Sequence, residues 1–190
     1  MKNILLLNLG SPKSLKTKDV RDYLNQFLSD DNVIDLPKLV QQLILRCFIL
    51  PFRPAQAKEA YEQIWTKEGS PLILNTQKIA DALAHKTGWN VKIAMRYQFP
   101  SIKEAIEDFK NENIDEIEVI SLYPQHAMST TLSTALEVKR VVNKYYPELK
   151  LNFVEPFYDH PDYIKALSES IKPHLKKFDK LILSYHGIPM

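Results

Sequence analysis

His186 has the most versatile chemistry among the residues that end an apolar run of this 190-residue chain. The run 181–183 leads directly to it, and Gly187 and Pro189 restrict the backbone beyond it. An imidazole held in a crevice at such a place could accept a proton near neutral pH or coordinate a divalent metal. The competing interpretation is a histidine that is hydrogen-bonded at a strand end.

Arg96 and Tyr97 end another apolar run, 91–95. A guanidinium at this place could form a bidentate pair with a carboxylate, and the ring could stack on a flat ligand. The competing interpretation for Arg96 is an ion pair at a helix start. The sequence therefore predicts either a site for a flat anionic ligand or a structural ion pair.

Tyr123 follows a third apolar run, 117–122, and the chain then enters the hydroxyl-rich segment 129–134. If this segment begins a helix, its free backbone N–H groups could bind an anion, although serine and threonine there are more often caps. The turn 10–12 after the first run is either an ordinary turn or one that brings a ligand close to the backbone.

The remaining composition excludes several classes of site. Cys47 is the one cysteine, which excludes an internal disulfide and a metal site built from this chain's cysteines alone, and a reducing cytosol is expected. Four glycines and no glycine-rich phosphate motif argue against nucleotide binding. The formal net charge of +2 is too balanced for a general nucleic-acid binder. Surface roles are expected for His85, His160 and His174, and His126 is expected to be a surface or capping residue rather than a ligand.

Apolar runs that alternate with helical patterns predict a parallel α/β sheet flanked by helices. Strands are expected at Ile4 to Leu9, Val91 to Met95, Ile117 to Leu122, Leu151 to Val154 and Leu181 to Ser184. Ligands of open α/β sheets bind beyond the carboxyl ends of the strands. The residues that end the apolar runs should therefore meet in one crevice.

Helical patterns fill the intervals between these runs. Helices are expected at Thr17 to Leu28, Leu39 to Leu50, Pro54 to Lys67 and Leu72 to Lys86, and a further one should begin at the capping box formed by Ser101 and Glu104. The buried stripe of that last helix should comprise Ile102, Ala105, Ile106 and Phe109. The first loop region, 10–90, is thus elaborated with several helices.

Six strings in this chain resemble landmarks of the ferrochelatase family and occur in the family's usual order. They are LLLNLGSP at 5–12, FLSDDNVID at 27–35, EGSPL at 68–72, AMRYQFPSIKEAI at 94–106, LYPQ at 122–125 and SYHGIP at 184–189. This family inserts ferrous iron into a porphyrin in the last stage of haem synthesis. The resemblance implies two similar flavodoxin-like α/β halves with the porphyrin in the cleft between them.

The resemblance also implies roles for individual residues. His186 carries over as the active-site histidine, which binds the metal or removes a pyrrole proton. Arg96 and Tyr97 match positions that line the porphyrin pocket, Leu9 lies where the first strand meets the ring, and Tyr123 of the LYPQ string is assigned to the same substrate site. Ferrous iron is then a substrate, and no permanently bound cofactor is expected. Arginines that some members carry near 61–64 are absent here.

Only the family's first half and the opening of its second are matched. We expect a first α/β domain at 1–154, the start of a second at 155–190, and an acidic partner of His186 in a C-terminal half that is missing here. This chain alone would then be inactive. The alternatives are another tetrapyrrole chelatase of similar fold, such as a sirohydrochlorin cobalt chelatase, and a tetrapyrrole carrier that inserts no metal.

The segment 39–51 is the most apolar helical stretch, and its length and Arg46 argue against a bilayer span. One interpretation is an apolar lip at the mouth of the cleft, through which a cytoplasmic protein contacts the inner membrane peripherally and receives a poorly soluble porphyrin. The other is a helix buried under the elaborated loop region.

Overall fold

A parallel sheet forms the centre of the molecule. The computed structural model describes residues 1–175 and 180–184. Its strands are β1 (Asn3–Gly10), β2 (Asn90–Tyr97), β3 (Glu116–Ser121) and β4 (Lys150–Phe153), and they lie in the order β2-β1-β3-β4 with every pairing parallel. This order matches the first four strands of flavodoxin-like folds, and the predicted α/β fold class is confirmed.

Seven α-helices surround or extend this sheet in the described part of the chain. They are α1 (Thr17–Leu28), α2 (Lys38–Ile44), α3 (Arg53–Glu62), α4 (Pro71–Thr87), α5 (Ile102–Asn111), α6 (Ser133–Tyr145) and α7 (Pro161–Leu175). A π-helical turn at Leu45–Ile49 continues α2, and another at Met128–Leu132 precedes α6. None of these helices is both long and apolar enough to cross a bilayer.

The side chains of β1 alternate between two cores, one on each face of the sheet. Leu5 and Leu7 lie in a core with residues of α5 and α6, whereas Ile4 and Leu6 lie in a core with Ala80 of α4. Because both faces are covered, every position of this strand's centre is buried. This explains why the strand reads as a continuous apolar run rather than as an alternating one.

Helix α5 confirms the predicted capping box. The Ser101 hydroxyl accepts from the backbone N–H of Glu104 at 3.2 Å, and the Glu104 carboxylate accepts from the backbone N–H of Ser101 at 2.9 Å. Such a cap contributes about 1 kcal/mol. The predicted buried stripe is also present: Ile102, Ala105, Ile106 and Phe109.

Two predicted elements are corrected by the structure. Leu181 to Ser184 form no strand, and no described strand lies beside them, so Leu181, Ile182 and Leu183 are 54%, 87% and 57% exposed. The helix predicted to reach Lys67 ends at Glu62. The chain instead makes a tight turn there, in which the backbone N–H and C=O groups of Thr66 and Gly69 bond each other.

Helix α7 lies apart from the core and has no buried residue. Ile164, Leu167, Ile171 and Leu175 recur on one side of it and, with Leu181, line an open cavity of about 310 Å³. An apolar stripe of this kind normally packs against another element. The division of the chain into 1–154 and 155–190 remains a prediction, with which the exposed stripe is consistent.

Candidate functional site

The carboxyl ends of β1 and β2 approach each other very closely. Gly10 pairs with Tyr97 in the parallel register and has a φ of +105°. A Cβ at this position would lie 2.0 Å from the carbonyl oxygen of Tyr97, so only glycine fits. The turn 10–12 does bring another group close to its backbone, but that group is the backbone of Tyr97 and not a ligand.

Arg96 forms an internal ion pair at this edge of the sheet. Its Nη2 donates to the Oδ2 of Asp30 at 2.6 Å, and its Nε donates to the hydroxyl and the carbonyl oxygen of Ser133 at 2.7 Å and 3.1 Å. Arg96 is thus ion-paired within the fold, as one interpretation predicted, but its partner Asp30 lies in the turn after α1, and only the hydrogen bonds to Ser133 are at a helix start, that of α6. A contact between Arg96 and a substrate carboxylate stays a prediction.

Asp30 is the centre of this buried network. The same Oδ2 accepts from the hydroxyls of Tyr97, at 2.8 Å, and of Ser133, while Oδ1 accepts from the backbone and side-chain N–H groups of Asn32. Burial raises the pKa of the Asp30 carboxyl, but these hydrogen bonds outweigh burial and lower the pKa to about 2. Asp30 is therefore a carboxylate at every physiological pH.

Tyr97 is fully buried between the network and an aromatic cluster. The Arg96 guanidinium lies 4.5 Å from the centre of its ring, and the Phe27 ring contacts it edge-on at 5.2 Å. Burial raises the pKa of this phenol far above its ordinary value. The side chain that the sequence assigned to stacking on a ligand is thus enclosed by protein, and Phe27 separates it from the nearest pocket.

Tyr123 lies two residues beyond β3 at the same edge. Burial raises its pKa to about 12, and the neighbouring Thr134 hydroxyl and the positive charge of Arg96 offset this only in part. Three hydroxyls around this edge are buried with no partner in full hydrogen-bonding geometry among the described residues: Ser11 Oγ, Tyr123 Oη and Thr134 Oγ1. Because buried hydroxyls are normally paired, these groups could serve a polar ligand.

Leu9 is half-buried immediately before Gly10. Its backbone N–H donates to its neighbour's side chain, Asn8 Oδ1, at 2.8 Å. Because Gly10 pairs with Tyr97 and Asn8 with Met95, Leu9 lies at the carboxyl edge with Arg96 and Tyr97, as the sequence predicts. Its contact with a porphyrin ring stays a prediction.

An apolar pocket opens beside this edge, between α1 and the start of α3. It has a volume of about 350 Å³ and is lined by Leu24, Phe27, Leu28, Ile49 and Arg53. Arg53 is exposed, and no carboxylate of the described residues lies within 4.0 Å of it. The pocket therefore combines apolar walls with one unpaired positive charge.

Sequence reasoning missed both Asp30 and Arg53. Asp30 is 66 residues from its arginine partner, and nothing in the local sequence indicates this pairing. Arg53 left a weak signal, because a cation in the first turn of a helix opposes the helix dipole and so is unfavourable unless it has another role.

The segment predicted as an apolar helix carries an outward-facing stripe, which we call the lip stripe: Leu39, Val40, Leu43, Phe48 and Phe52. Their exposed fractions run from 44% to 87%, whereas Gln41 and Leu45 on the other side of the helix are buried. The interpretation as a helix buried under the loop region is therefore wrong for this chain. The spacing of four from Leu39 to Leu43 in α2 and of five from Leu43 to Phe48 across the π-helical turn keeps these side chains on one face; Val40 adjoins Leu39, and Phe52 follows in the turn before α3.

His186, assigned as the catalytic and metal-binding residue, lies outside the described residues. The exposed positions of His85, His126, His160 and His174 confirm the prediction of surface roles. Among residues 1–175 and 180–184, no group of three or more histidine, cysteine, aspartate or glutamate side chains could hold a metal ion.

The comparisons with known proteins agree with the fold and with the six strings. The family model described as Ferrochelatase matches residues 1–190. Proteins named ferrochelatase from Stutzerimonas stutzeri and Pseudomonas aeruginosa are 44% and 43% identical to 98% of this chain, which covers 55% of each. One from Porphyromonas gingivalis is 43% identical over 98% of the chain and 54% of its own length. The chain thus spans about half the length of these relatives, and it belongs to the ferrochelatase family.

Proposed function

We propose that this chain supplies the N-terminal half of a ferrochelatase, which inserts ferrous iron into a porphyrin such as protoporphyrin or coproporphyrin. The pocket lined by Leu24, Phe27, Leu28, Ile49 and Arg53 is the observation that best supports this proposal. A porphyrin is a flat apolar ring that carries anionic propionates. Apolar walls suit the ring, and the exposed guanidinium of Arg53 suits a propionate at the rim.

The carboxyl edge of the sheet forms the rest of this wall in the proposal. Leu9 and Tyr123 face the substrate there, Arg96 supports a carboxylate, and Tyr97 backs the pocket through its contact with Phe27. His186 removes pyrrole protons or binds the incoming iron as a neutral imidazole. Iron is a substrate of this reaction, and in this proposal the acidic partner of His186 belongs to the part of the ferrochelatase relatives that the chain does not span.

Two substitutions test the pocket in the chain itself. Leu28→Ser should weaken binding of deuteroporphyrin, measured by quenching of its fluorescence, because it places a hydroxyl in an apolar wall. Leu136→Ser alters a leucine on α6 that is 46% exposed and outside the pocket, and it should leave the affinity unchanged. Equal affinities for the two variants would contradict the proposed porphyrin site.

The metal-insertion step is tested in a protein that spans the full length of the ferrochelatase relatives. His186→Ala should abolish zinc or iron insertion, followed by the absorbance change on metallation, while porphyrin binding stays largely intact. Metallation at the parent rate would contradict the role of His186. A full-length protein that binds porphyrin but never inserts metal would instead be a tetrapyrrole carrier.

We further propose that the lip stripe contacts a membrane surface, so that a poorly soluble porphyrin can pass between bilayer and pocket. Its support is the stripe's exposure and its position directly before Arg53 in the chain. Burying one such side chain in the interface contributes about 1.5–3 kcal/mol. Phe48→Ser should therefore reduce co-sedimentation with phospholipid vesicles, and Leu136→Ser should not. If both variants co-sediment with vesicles as well as the parent does, the proposed contact between the lip stripe and the membrane is wrong.

A further inference from the structure

The lip stripe lies in a stretch of the chain in which every charged side chain is basic. The segment 36–58 contains no acidic residue, but it contains four basic ones: Lys38, Arg46, Arg53 and Lys58. The whole chain is nearly balanced, with 25 basic and 23 acidic residues, so this excess of positive charge is local. An apolar helix face bordered by cations is typical of segments that lie in the interface of a bilayer.

Two of these four cations are free to meet a partner outside the fold. Lys38 and Lys58 each form an ion pair with a nearby carboxylate, at 2.6 Å and 3.3 Å. Arg46 and Arg53 are exposed, and neither forms an ion pair with any residue that the structure describes. Such a guanidinium can bind an anion without breaking a structural ion pair.

Arg46 lies within the lip segment itself. It belongs to the π-helical turn Leu45–Ile49, between Leu43 and Phe48 of the lip stripe. An arginine side chain buries its apolar stem along apolar surface and keeps its guanidinium at the polar boundary. When Leu43 and Phe48 enter the apolar layer of a bilayer, Arg46 is therefore placed at the level of the phosphate headgroups.

We propose that the lip stripe docks on a bilayer of anionic phospholipids, and that Arg46 distinguishes these lipids from neutral ones. The proposal names the lipid class for the membrane contact proposed above, and it rests on that contact. Charge complementarity supports it, because an anionic surface attracts each nearby basic residue and so raises the partition coefficient about fivefold per residue. A bilayer fits better than an acidic protein, since it also dissolves the poorly soluble porphyrin that the adjoining pocket receives in the proposed function.

The first test compares vesicles of phosphatidylcholine alone with vesicles that contain an equal amount of phosphatidylglycerol. Because two arginines without ion pairs contribute, the parent's partition coefficient should be about 25-fold higher for the anionic vesicles. Arg46→Gln should lower binding to the anionic vesicles about fivefold, equivalent to about 1 kcal/mol, and leave binding to the neutral ones unchanged. An ionic strength of about 1 M, at which the Debye length is about 3 Å, should remove most of the parent's selectivity.

Two further variants separate charge from apolar burial. Phe48→Ser should lower binding to both vesicle types by a similar factor, because it removes apolar surface and no charge. Lys86→Gln removes an exposed cation near the amino edge of the sheet, where α4 ends and β2 begins, so it should change neither. Equal effects of Lys86→Gln and Arg46→Gln would mean that adsorption follows net charge alone, and would overturn docking through the lip stripe.

Cys47 offers a direct readout of insertion. It is exposed, it follows Arg46, and it is the one cysteine of the chain, so a fluorophore can be attached to its sulfur selectively. The emission of an environment-sensitive fluorophore should shift to shorter wavelength on anionic vesicles, and much less on neutral ones at the same lipid concentration. Binding to anionic vesicles without this shift would mean that another surface holds the protein there, and would overturn the proposal.

The outcomes also separate this proposal from those on which it rests. Equal partition into the two vesicle types would overturn the selectivity for anionic lipids and leave the contact between lip stripe and membrane intact. Binding to neither type would overturn both, and would favour an acidic protein as the partner of the two arginines. These measurements contain no porphyrin, so the deuteroporphyrin titration tests the pocket independently.

Discussion

The carboxyl edge of the sheet and the apolar pocket each contain an arginine, and the two arginines differ in burial and in ion pairing. The Arg96 side chain is only 14% exposed, and it bonds Asp30 and Ser133. Arg53 lies on the surface of the pocket and has no ion pair among the described residues. A buried charge must find its partner inside the fold, whereas an exposed one can remain unpaired until a ligand arrives.

This difference indicates a structural role for Arg96 and a ligand-binding role for Arg53. Arg96 connects β2, the turn after α1 and the start of α6, so its first contribution is to the geometry of the edge. Arg53 forms no ion pair or side-chain hydrogen bond with a described residue. The assignment of Arg96 as a substrate ligand came from its position at a strand end, which Arg53 does not share. Burial and pairing, rather than position alone, favour Arg53 as the main partner of a propionate.

The largest expected effect is on the buried pair. Asp30→Asn has the same shape but leaves the Arg96 charge buried without its partner, so the free energy of unfolding should fall by about 3–5 kcal/mol near neutral pH. Urea unfolding measures this loss. Asp31→Asn is the control, because Asp31 pairs with Lys38 on the surface and its removal should cost less than about 1 kcal/mol. Similar losses for the two variants would show that the Asp30 network does not stabilise the fold.

The next effect is a dependence of stability on pH. Folding lowers the pKa of the Asp30 carboxyl from 3.8 to about 2, so the folded state favours the carboxylate. The resulting stability, about 2.5 kcal/mol, is present above pH 4 and is lost as the pH falls through about 2. Urea unfolding at several pH values should show this decline in the parent and a smaller one in Asp30→Asn. Parallel curves would contradict the lowered pKa.

Much of the fold could be predicted because the pattern of apolar residues along the sequence indicates which positions are buried. The β1 side chains enter two cores, which makes the strand continuously apolar, and Ser101 and Glu104 form their cap within four residues. The strand predicted at 181–184 failed for a physical reason. An apolar run becomes a strand only where another strand pairs with it, and no described strand lies beside it.

The candidate site was less accessible to sequence reasoning because its decisive contacts are tertiary. Arg96 and Tyr97 could be assigned to the edge, but their shared partner Asp30 is separated from them by more than 60 residues. The orientation of the lip stripe was equally undetermined, since an apolar helix face reads the same whether it packs inward or faces solvent. His186 lies outside the described residues, and its role remains a prediction.

A comparison of two ligands should separate the two arginines further. Arg53→Leu should weaken binding of deuteroporphyrin by about 1–3 kcal/mol, because it removes a charge-assisted hydrogen bond, and should weaken binding of the dimethyl ester much less. Fluorescence titration measures both affinities. Arg96→Leu should lower stability and should show a smaller preference for the dicarboxylate, because most of its donors are engaged by Asp30 and Ser133. The reverse pattern would make Arg96 the propionate ligand and would restore the assignment made from its strand-end position.

The smallest expected effect concerns Gln41, the buried residue that connects the Asp30 turn to the lip stripe. Its Nε2 donates to the carbonyl oxygens of Ile34 at 3.2 Å and Asp30 at 3.5 Å, while its Oε1 has no partner among the described residues. Gln41→Leu removes the unpaired acceptor together with the two bonds, so its net cost should be only about 1 kcal/mol.

If Gln41 connects the Asp30 turn to the lip stripe, the stability lost in Gln41→Leu should be confined to the lip segment. Hydrogen exchange of the amides in α2 and the following π-helical turn should accelerate by roughly fivefold in Gln41→Leu, while β1 amides keep their protection. Gln42→Leu is the control, because Gln42 bonds only the hydroxyl of Ser29 and is less buried. Its effect on the same amides should be smaller. Acceleration in β1 as large as in α2 would mean that the lip and the buried network unfold as one unit, and would contradict a local role for Gln41.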